Sequence, residues 1–203
     1  MRARMQKLMS EADYLEFEER AKTRHEFVDG YVFAMTGASQ AHSVICTNLL
    51  MLIQSSLKGT PCFAHVHDLK VHIKSKRAYY YPDILVSCEP IEPKNIFVNT
   101  PVLIVEVLSP STSATDRREK LIAYQQVQSL KEYMIVWQDR KKIELFRRSE
   151  NDSWETFEFG GLEELVLESL PHGTTKIPIA DIYERLNTPM RVKEDEADYE
   201  FSS

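Results

Sequence analysis

Apolar residues change their spacing several times along the chain, and each change predicts an element. Behind Ser10 they recur at helical intervals, so a short acidic helix is expected over about 11–19. The segment from Arg24 to Met35 is apolar on both sides of Asp29-Gly30, a pair suited to a positive-φ turn, and reads as a hairpin. Ser39 can cap a longer helix over about 40–57, whose inward stripe carries His42, Ile45, Leu49, Leu52 and Ile53. A histidine in that first turn either serves as a hydrogen-bonded core or cap residue or supports an active site against which the helix packs. Gly59 to Pro61 ends the helix, and strands are expected at Cys62–Val66 and Leu69–Ile73.

The stretch from Tyr81 to Tyr124 organises the rest. Pro82-Asp83 opens an apolar strand running to Cys88, and a loop with two prolines covers Glu89 to Asn99. Pro101 to Leu108 is a second strand, with Glu106 set among Ile104, Val105 and Val107. Short β-branched runs of this kind read as strands buried on both faces. Ser109 to Ser113 closes that strand and caps a helix over about 114–128, followed by a strand from Lys131 to Trp137. Asp139 to Lys141 turns into Ile143–Arg147, which is expected to pair with the alternating strand from Trp154 to Phe159. Short edge strands over Leu162–Ile179, a closing helix near Ile182–Leu186 and an acidic tail over 188–203 complete the reading, with 1–187 as one domain.

Composition narrows the class. With 203 residues, 43% of them hydrophobic, the chain can bury one sizeable core. No apolar run approaches the roughly 20 residues that cross a bilayer. The basic start lacks an apolar signal core, so a cytoplasmic location is expected. Three cysteines, Cys46, Cys62 and Cys88, form no CxxC and read as buried thiols in a reducing compartment. A formal charge of -6 argues against a broad non-specific nucleic-acid binder but leaves room for a local basic groove. The segments Lys70–Arg77 and Arg140–Arg148 could line such a groove or simply be solvated strand edges. His65 and His67 could share one strand face and bind a transition metal, although no third ligand has a convincing spacing.

A carboxylate inside a buried strand needs a partner, because desolvating it alone costs several kcal/mol. Here two strands carry one each. At about 100° per residue, the following helix places Lys120 between Tyr124 and Val127, on the face that packs on the sheet. Asp116 lies one turn earlier on nearly the same line. Two acids and a lysine converging at a sheet suit Mg²⁺, which takes one or two carboxylates together with waters and phosphate oxygens. They also suit a buried ion-pair network without chemistry, and the residues alone leave both readings open.

The runs P-D-I-L-V, V-E-V-L-S-P-S-T, D-R-R-E-K-L-I-A-Y and E-Y-M-I-V-W occur in that order, preceded by H-E-F-V-D-G-Y-V-F-A-M-T-G and A-H. In this the chain resembles the bacterial putative restriction endonuclease family expanded in cyanobacteria, within the PD-(D/E)XK nuclease superfamily, over about 24–185. The resemblance implies an α/β (α+β) fold: an αβββαβ core with a mixed central sheet flanked by helices, plus an extra N-terminal hairpin and C-terminal strands. It implies Asp83, Glu106 and the main-chain carbonyl of Val107 as metal ligands. The superfamily pattern places a lysine two residues after the acid, where this chain has Leu108. The family pattern takes the amine from the next helix instead, which corresponds to Lys120, and adds Glu26 and His42 at the periphery.

The expected function is Mg²⁺-dependent (or Mn²⁺-dependent) phosphodiester hydrolysis by a DNA endonuclease, as a homodimer with no membrane partner. Two alternatives stand beside it: a catalytically silent nucleic-acid or protein binding module on the same fold, and a nuclease of RNA or structured nucleic acid.

Overall fold

Alternation along the central strands sends successive side chains to two different cores. The computed structural model describes residues 4–5, 8–35, 37–108 and 114–186. In chain order its elements are β1 (Arg4–Met5), α1 (Glu11–Arg20), β2 (His25–Val28), β3 (Tyr31–Ala34), α2 (Gln40–Ser56), β4 (Phe63–Val66), β5 (Lys70–Ile73) and β6 (Ala78–Tyr80). They continue with β7 (Ile84–Ser87), β8 (Phe97–Val98), β9 (Pro101–Leu108), α3 (Ala114–Tyr124), β10 (Glu132–Trp137), β11 (Lys142–Arg148), β12 (Trp154–Gly160), β13 (Glu164–Leu167), β14 (Thr175–Pro178) and α4 (Ile179–Ile182).

The central sheet has the order β12-β11-β10-β9-β7-β4, with β9 and β10 parallel and the other neighbours antiparallel. Ile84, Val86, Leu103, Val105, Met134 and Val136 face one core, shared with α2 and α4. Leu85, Ile104, Tyr133 and Ile135 face the other, shared with α3. Both-face burial explains why β7, β9 and β10 are almost uniformly apolar. The succession α2, β4, β7, β9, α3, β10 gives the expected αβββαβ order. In this sheet α3 makes the crossover between the parallel neighbours β9 and β10.

The expected hairpin β2–β3 forms, with Asp29 at φ 44 and Gly30 at φ 93 in its turn. It belongs to a second sheet of order β1-β3-β2-β6-β5-β8. This sheet also takes in segments whose pairing the sequence left open, and part of the expected loop. Tyr79 and Tyr80 sit in β6 of this second sheet, and the chain crosses to the central sheet at Tyr81-Pro82. The Leu69–Ile73 strand joins the second sheet too, and the proline-containing loop contributes β8 to it. Val71, Ile73, Ala78 and Tyr80 pack into the α3-side core, so the second sheet and α3 share that face of the central sheet. Helix α1 covers the second sheet through Tyr14, packed with Phe27, Val32 and Tyr79.

The segment over Leu162–Ile179 forms a separate two-stranded sheet, β13–β14, not edge strands of the central one. Helix α3 ends at Tyr124, and the closing helix comes earlier than expected, at Ile179–Ile182. The expectation of three reduced thiols changes: Cys62 and Cys88 are disulfide-bonded, and Cys46 alone is a buried free thiol among the described residues. The β4–β7 register sets the bonded pair directly opposite one another, with 3.9 Å between their Cα atoms, a relationship that sequence spacing does not reveal. The expected cap at Ser109–Ser113 and the tail over 188–203 lie outside the described residues.

Candidate active site

Proline before a partly buried aspartate leaves a gap in the ladder where the central strands end. Ile84 pairs with Val105, so the antiparallel register continues with Asp83 opposite Glu106 and Pro82 opposite Val107. Pro82 has no N–H to give to the Val107 carbonyl. The Val107 N–H turns instead to the side chain of Asp83, donating to Oδ2 over 2.7 Å. Asp83 and Glu106 thus both stand where this ladder ends, near enough for the Asp83 charge to raise the Glu106 pKa, beside a Val107 carbonyl that receives no ladder bond from Pro82.

Lys120 completes the group from α3. Its Nζ lies 2.8 Å from Glu106 Oε1 and 2.9 Å from Glu26 Oε1, and 5.7 Å from the centre of the Tyr80 ring. Glu26 arrives from β2 of the second sheet, buried and accepting from the Tyr81 N–H over 3.4 Å. The Tyr124 hydroxyl, one helical turn beyond Lys120, donates to Glu106 Oε1 over 2.8 Å. Burial pushes the Glu106 carboxyl up to about 7; Lys120 opposes the rise, while Asp83 and Glu26 add to it. A carboxyl so placed changes protonation near neutrality, where an incoming cation competes with its proton.

His42 closes the other side. Ser39 caps α2 by accepting from the His42 N–H over 3.1 Å, and its hydroxyl donates to Gln138. Gln138 Nε2 in turn donates to the Leu108 carbonyl over 2.8 Å, tying the start of α2 to the ends of β9 and β10. So anchored, His42 places Nε2 3.1 Å from Asp83 Oδ1, with Cys46 Sγ 3.6 Å from Nδ1. Burial acts to lower the histidine pKa, but the bond to Asp83, the charges of Asp83 and Glu106, and a hydrogen bond to the Val107 main chain together raise it. Burial pushes the Cys46 thiol well up, so it is protonated at neutral pH.

The five side chains expected at the site therefore fall into two contact groups, His42 with Asp83 and Lys120 with both Glu106 and Glu26, and the Asp83 charge acts on Glu106 to link them. The side chain of Asp116 lies outside the described residues. His65 and His67 do not converge: His65 stacks edge-on with Phe63, whereas His67 has left the strand at φ 52 with its ring 6.4 Å from that of His42. Tyr124 and Cys46 are contacts that the motifs did not single out. Each lies four positions after a recognised residue, Lys120 or His42, so helical spacing was the available signal.

The donors fit a hard divalent cation. Asp83, Glu106 and the Val107 carbonyl offer oxygen donors near one strand end, and the His42 imidazole already bonds to Asp83 and to the Val107 main chain. His42, Cys46 and Asp83 also place one nitrogen, one sulfur and one oxygen within 4.8 Å of each other, a softer set on the α2 side. Asp83 belongs to both.

Comparison with known proteins places the chain in a family. A family model described as "Putative restriction endonuclease" (Uma2) matches residues 11–180. An uncharacterized protein of Synechocystis sp. PCC 6803 is 36% identical over 163 residues, covering 80% of this chain and 86% of that protein. A second from the same organism is 31% identical over 153 residues, covering 73% and 85%. A crystal structure from Anabaena variabilis, described as a "putative nuclease", shares the fold with a TM-score of 0.70 at 19% identity, over 86% of this chain and 97% of that one. The chain belongs to the Uma2 family of putative restriction endonucleases.

Proposed function

We propose that this protein is a divalent-metal-dependent DNA endonuclease, hydrolysing phosphodiester bonds at the strand ends where Asp83 and Glu106 meet. One observation carries the reading: Lys120, on α3, bridges the strand carboxylate Glu106 and Glu26 from the second sheet, at the strand end where the Asp83 charge also acts on Glu106. An ion pair kept only for stability is readily replaced by apolar packing. Three acids, one lysine and a released carbonyl at the end of a sheet have a shared purpose if they bind a cation and a phosphate.

Asp83, Glu106 and the Val107 carbonyl would hold Mg²⁺ or Mn²⁺, with His42 orienting Asp83. When bound, the cation would supply Lewis acidity and lower the pKa of a coordinated water. Lys120 sets a positive charge beside the attacked phosphorus, where it orients the water and offsets the negative charge that develops on the phosphoryl oxygens. Glu26 fixes the Lys120 amine from the side opposite Glu106. The catalytic domain spans 1–187, and the acidic residues of 188–203 follow it. Action on duplex DNA in the cytoplasm, by a homodimer that presents one site to each strand, completes the proposal.

The test is cleavage of supercoiled and single-stranded DNA with Mg²⁺ or Mn²⁺ by the full chain, Lys120→Ala and Glu106→Ala. Metal-dependent cutting by the parent, lost in both variants, is expected. Cutting that survives in both would assign the activity to another site or protein, and absence of both cutting and metal binding would leave a binding module.

A further inference from the structure

We propose that Arg117 and Arg140, gathered over Trp137, form a subsite for a backbone phosphate beside the one that is cut. The proposal rests on the nuclease reading and specifies how its substrate is gripped. Glu106 pairs with Ile135 and Leu108 with Trp137, so Trp137 lies on the same face one pleat further along β10. That separation is about 7 Å along the strand and about 4.8 Å across it. Arg117 lies three residues before Lys120 on α3, one turn nearer the strand ends. Its guanidinium carbon is 5.6 Å from the Trp137 ring centre, and that of Arg140, from the β10–β11 turn, is 5.4 Å away.

Pairing separates these two arginines from Lys142, Arg147 and Arg148 around them. Lys142 also approaches Trp137 but is held by Glu144 at 3.3 Å and Glu158 at 3.2 Å. Arg147 meets Glu132 and Glu168, and Arg148 meets Asp152 and three carbonyls. By contrast, the nearest carboxylate to Arg140 is that of exposed Asp139 at 4.0 Å, and the buried Arg140 Nε has no hydrogen-bond partner among the described residues. Among those residues, no carboxylate lies within ion-pair distance of Arg117. Buried donors are almost always satisfied, so one left open on a charged group points to an acceptor that arrives from outside.

The chemistry of the acceptor follows from the donors. Guanidinium forks match phosphate oxygens in bidentate fashion. Trp137 is only 7% exposed, so it offers no face for a base to stack on and instead orders the two cations. Its carbonyl is held by the Tyr183 hydroxyl at 2.7 Å, and the next residue, Gln138, is tied to Leu108 and Ser39. The platform is therefore rigid and reads the sugar-phosphate chain without reading sequence. In a chain of net charge -6, attraction of a polyanion depends on such local cations.

Full-length Asp83→Asn protein, which should bind without cutting, is titrated with a short DNA duplex across a salt series. Arg117→Gln and Arg140→Gln are added singly and together, with exposed Lys94→Gln as the control. Each arginine change should weaken binding roughly tenfold. Every phosphate interaction removed should make the log–log salt slope shallower by about 0.9. Lys94→Gln should change neither. Unchanged affinity and slope in both arginine variants overturn the subsite, while cutting by the parental chain keeps the nuclease reading. If the parent neither binds nor cuts, both fall. A second measurement reads the contact from the DNA side: single methylphosphonate replacements are scanned along the duplex against the Asp83→Asn protein. One position should cost the same increment of slope, and that cost should vanish in the double arginine variant. A scan with no such position overturns the proposal.

Discussion

The ammonium of Lys120 lies 2.8 Å from the carboxylate of Glu106, although the two residues are 14 positions apart and on different elements. The strand position two residues beyond Glu106 is Leu108, partly buried beside the α3-side core, so the positive charge beside Glu106 comes from the helix. The contact fixes the packing of α3 as well as the electrostatics of the carboxylates.

Lys120→Ala removes the positive charge from two acids whose side chains are 12% and 5% exposed. At about pH 8 the loss should cost roughly 3 kcal/mol of folding stability. At about pH 5 the cost should shrink, because Glu106 can take up a proton. Urea unfolding at the two pH values checks this; an equal cost at both would mean that Glu106 does not titrate between them.

Glu106 and His42 both have folded-state pKa values above their ordinary ones. A group raised in this way contributes stability that is complete below its unfolded pKa and lost as pH rises through its folded pKa. For Glu106 the window runs from 4.5 to about 7; for His42 it begins at 6.5. Bound cation would replace the missing protons, so the rise in melting temperature caused by Mn²⁺ should grow between about pH 6 and about pH 8. A shift independent of pH would place the ion elsewhere.

Asp83→Asn keeps the shape of the side chain but removes the charge that faces His42 and the Val107 N–H. Mn²⁺ affinity measured by calorimetry should fall at least tenfold, with the fold retained. The His42 pKa should drop, since its largest favourable contribution is the bond to Asp83, and proton NMR of the imidazole would show it.

The disulfide between Cys62 and Cys88 closes a separation of 26 residues across the β4–β7 pair. Its reduction should cost roughly 2–4 kcal/mol, read as a lower melting temperature in dithiothreitol. The Cys62→Ser, Cys88→Ser double variant should melt at the reduced value with and without reductant. A variant still sensitive to reductant would implicate Cys46.

Local periodicity determined much of this protein. Strand alternation, the proline before Asp83 and the helical phase of Lys120 are properties of adjacent residues, and each pointed to a side chain of the buried cluster. The αβββαβ order came from the resemblance carried by the motif runs, because periodicity marks strands and helices without saying how they pair. What only the tertiary structure decided was the company each element keeps. The second sheet recruits β5, β6 and β8 as well as the hairpin, and thereby carries Glu26 to Lys120. The approach of His42 to Asp83, and the opposition of Cys62 to Cys88, likewise depend on register between distant segments. Short strands such as β6 and β8 carry too few residues to specify a partner by their own pattern, so burial against the rest of the fold selects it.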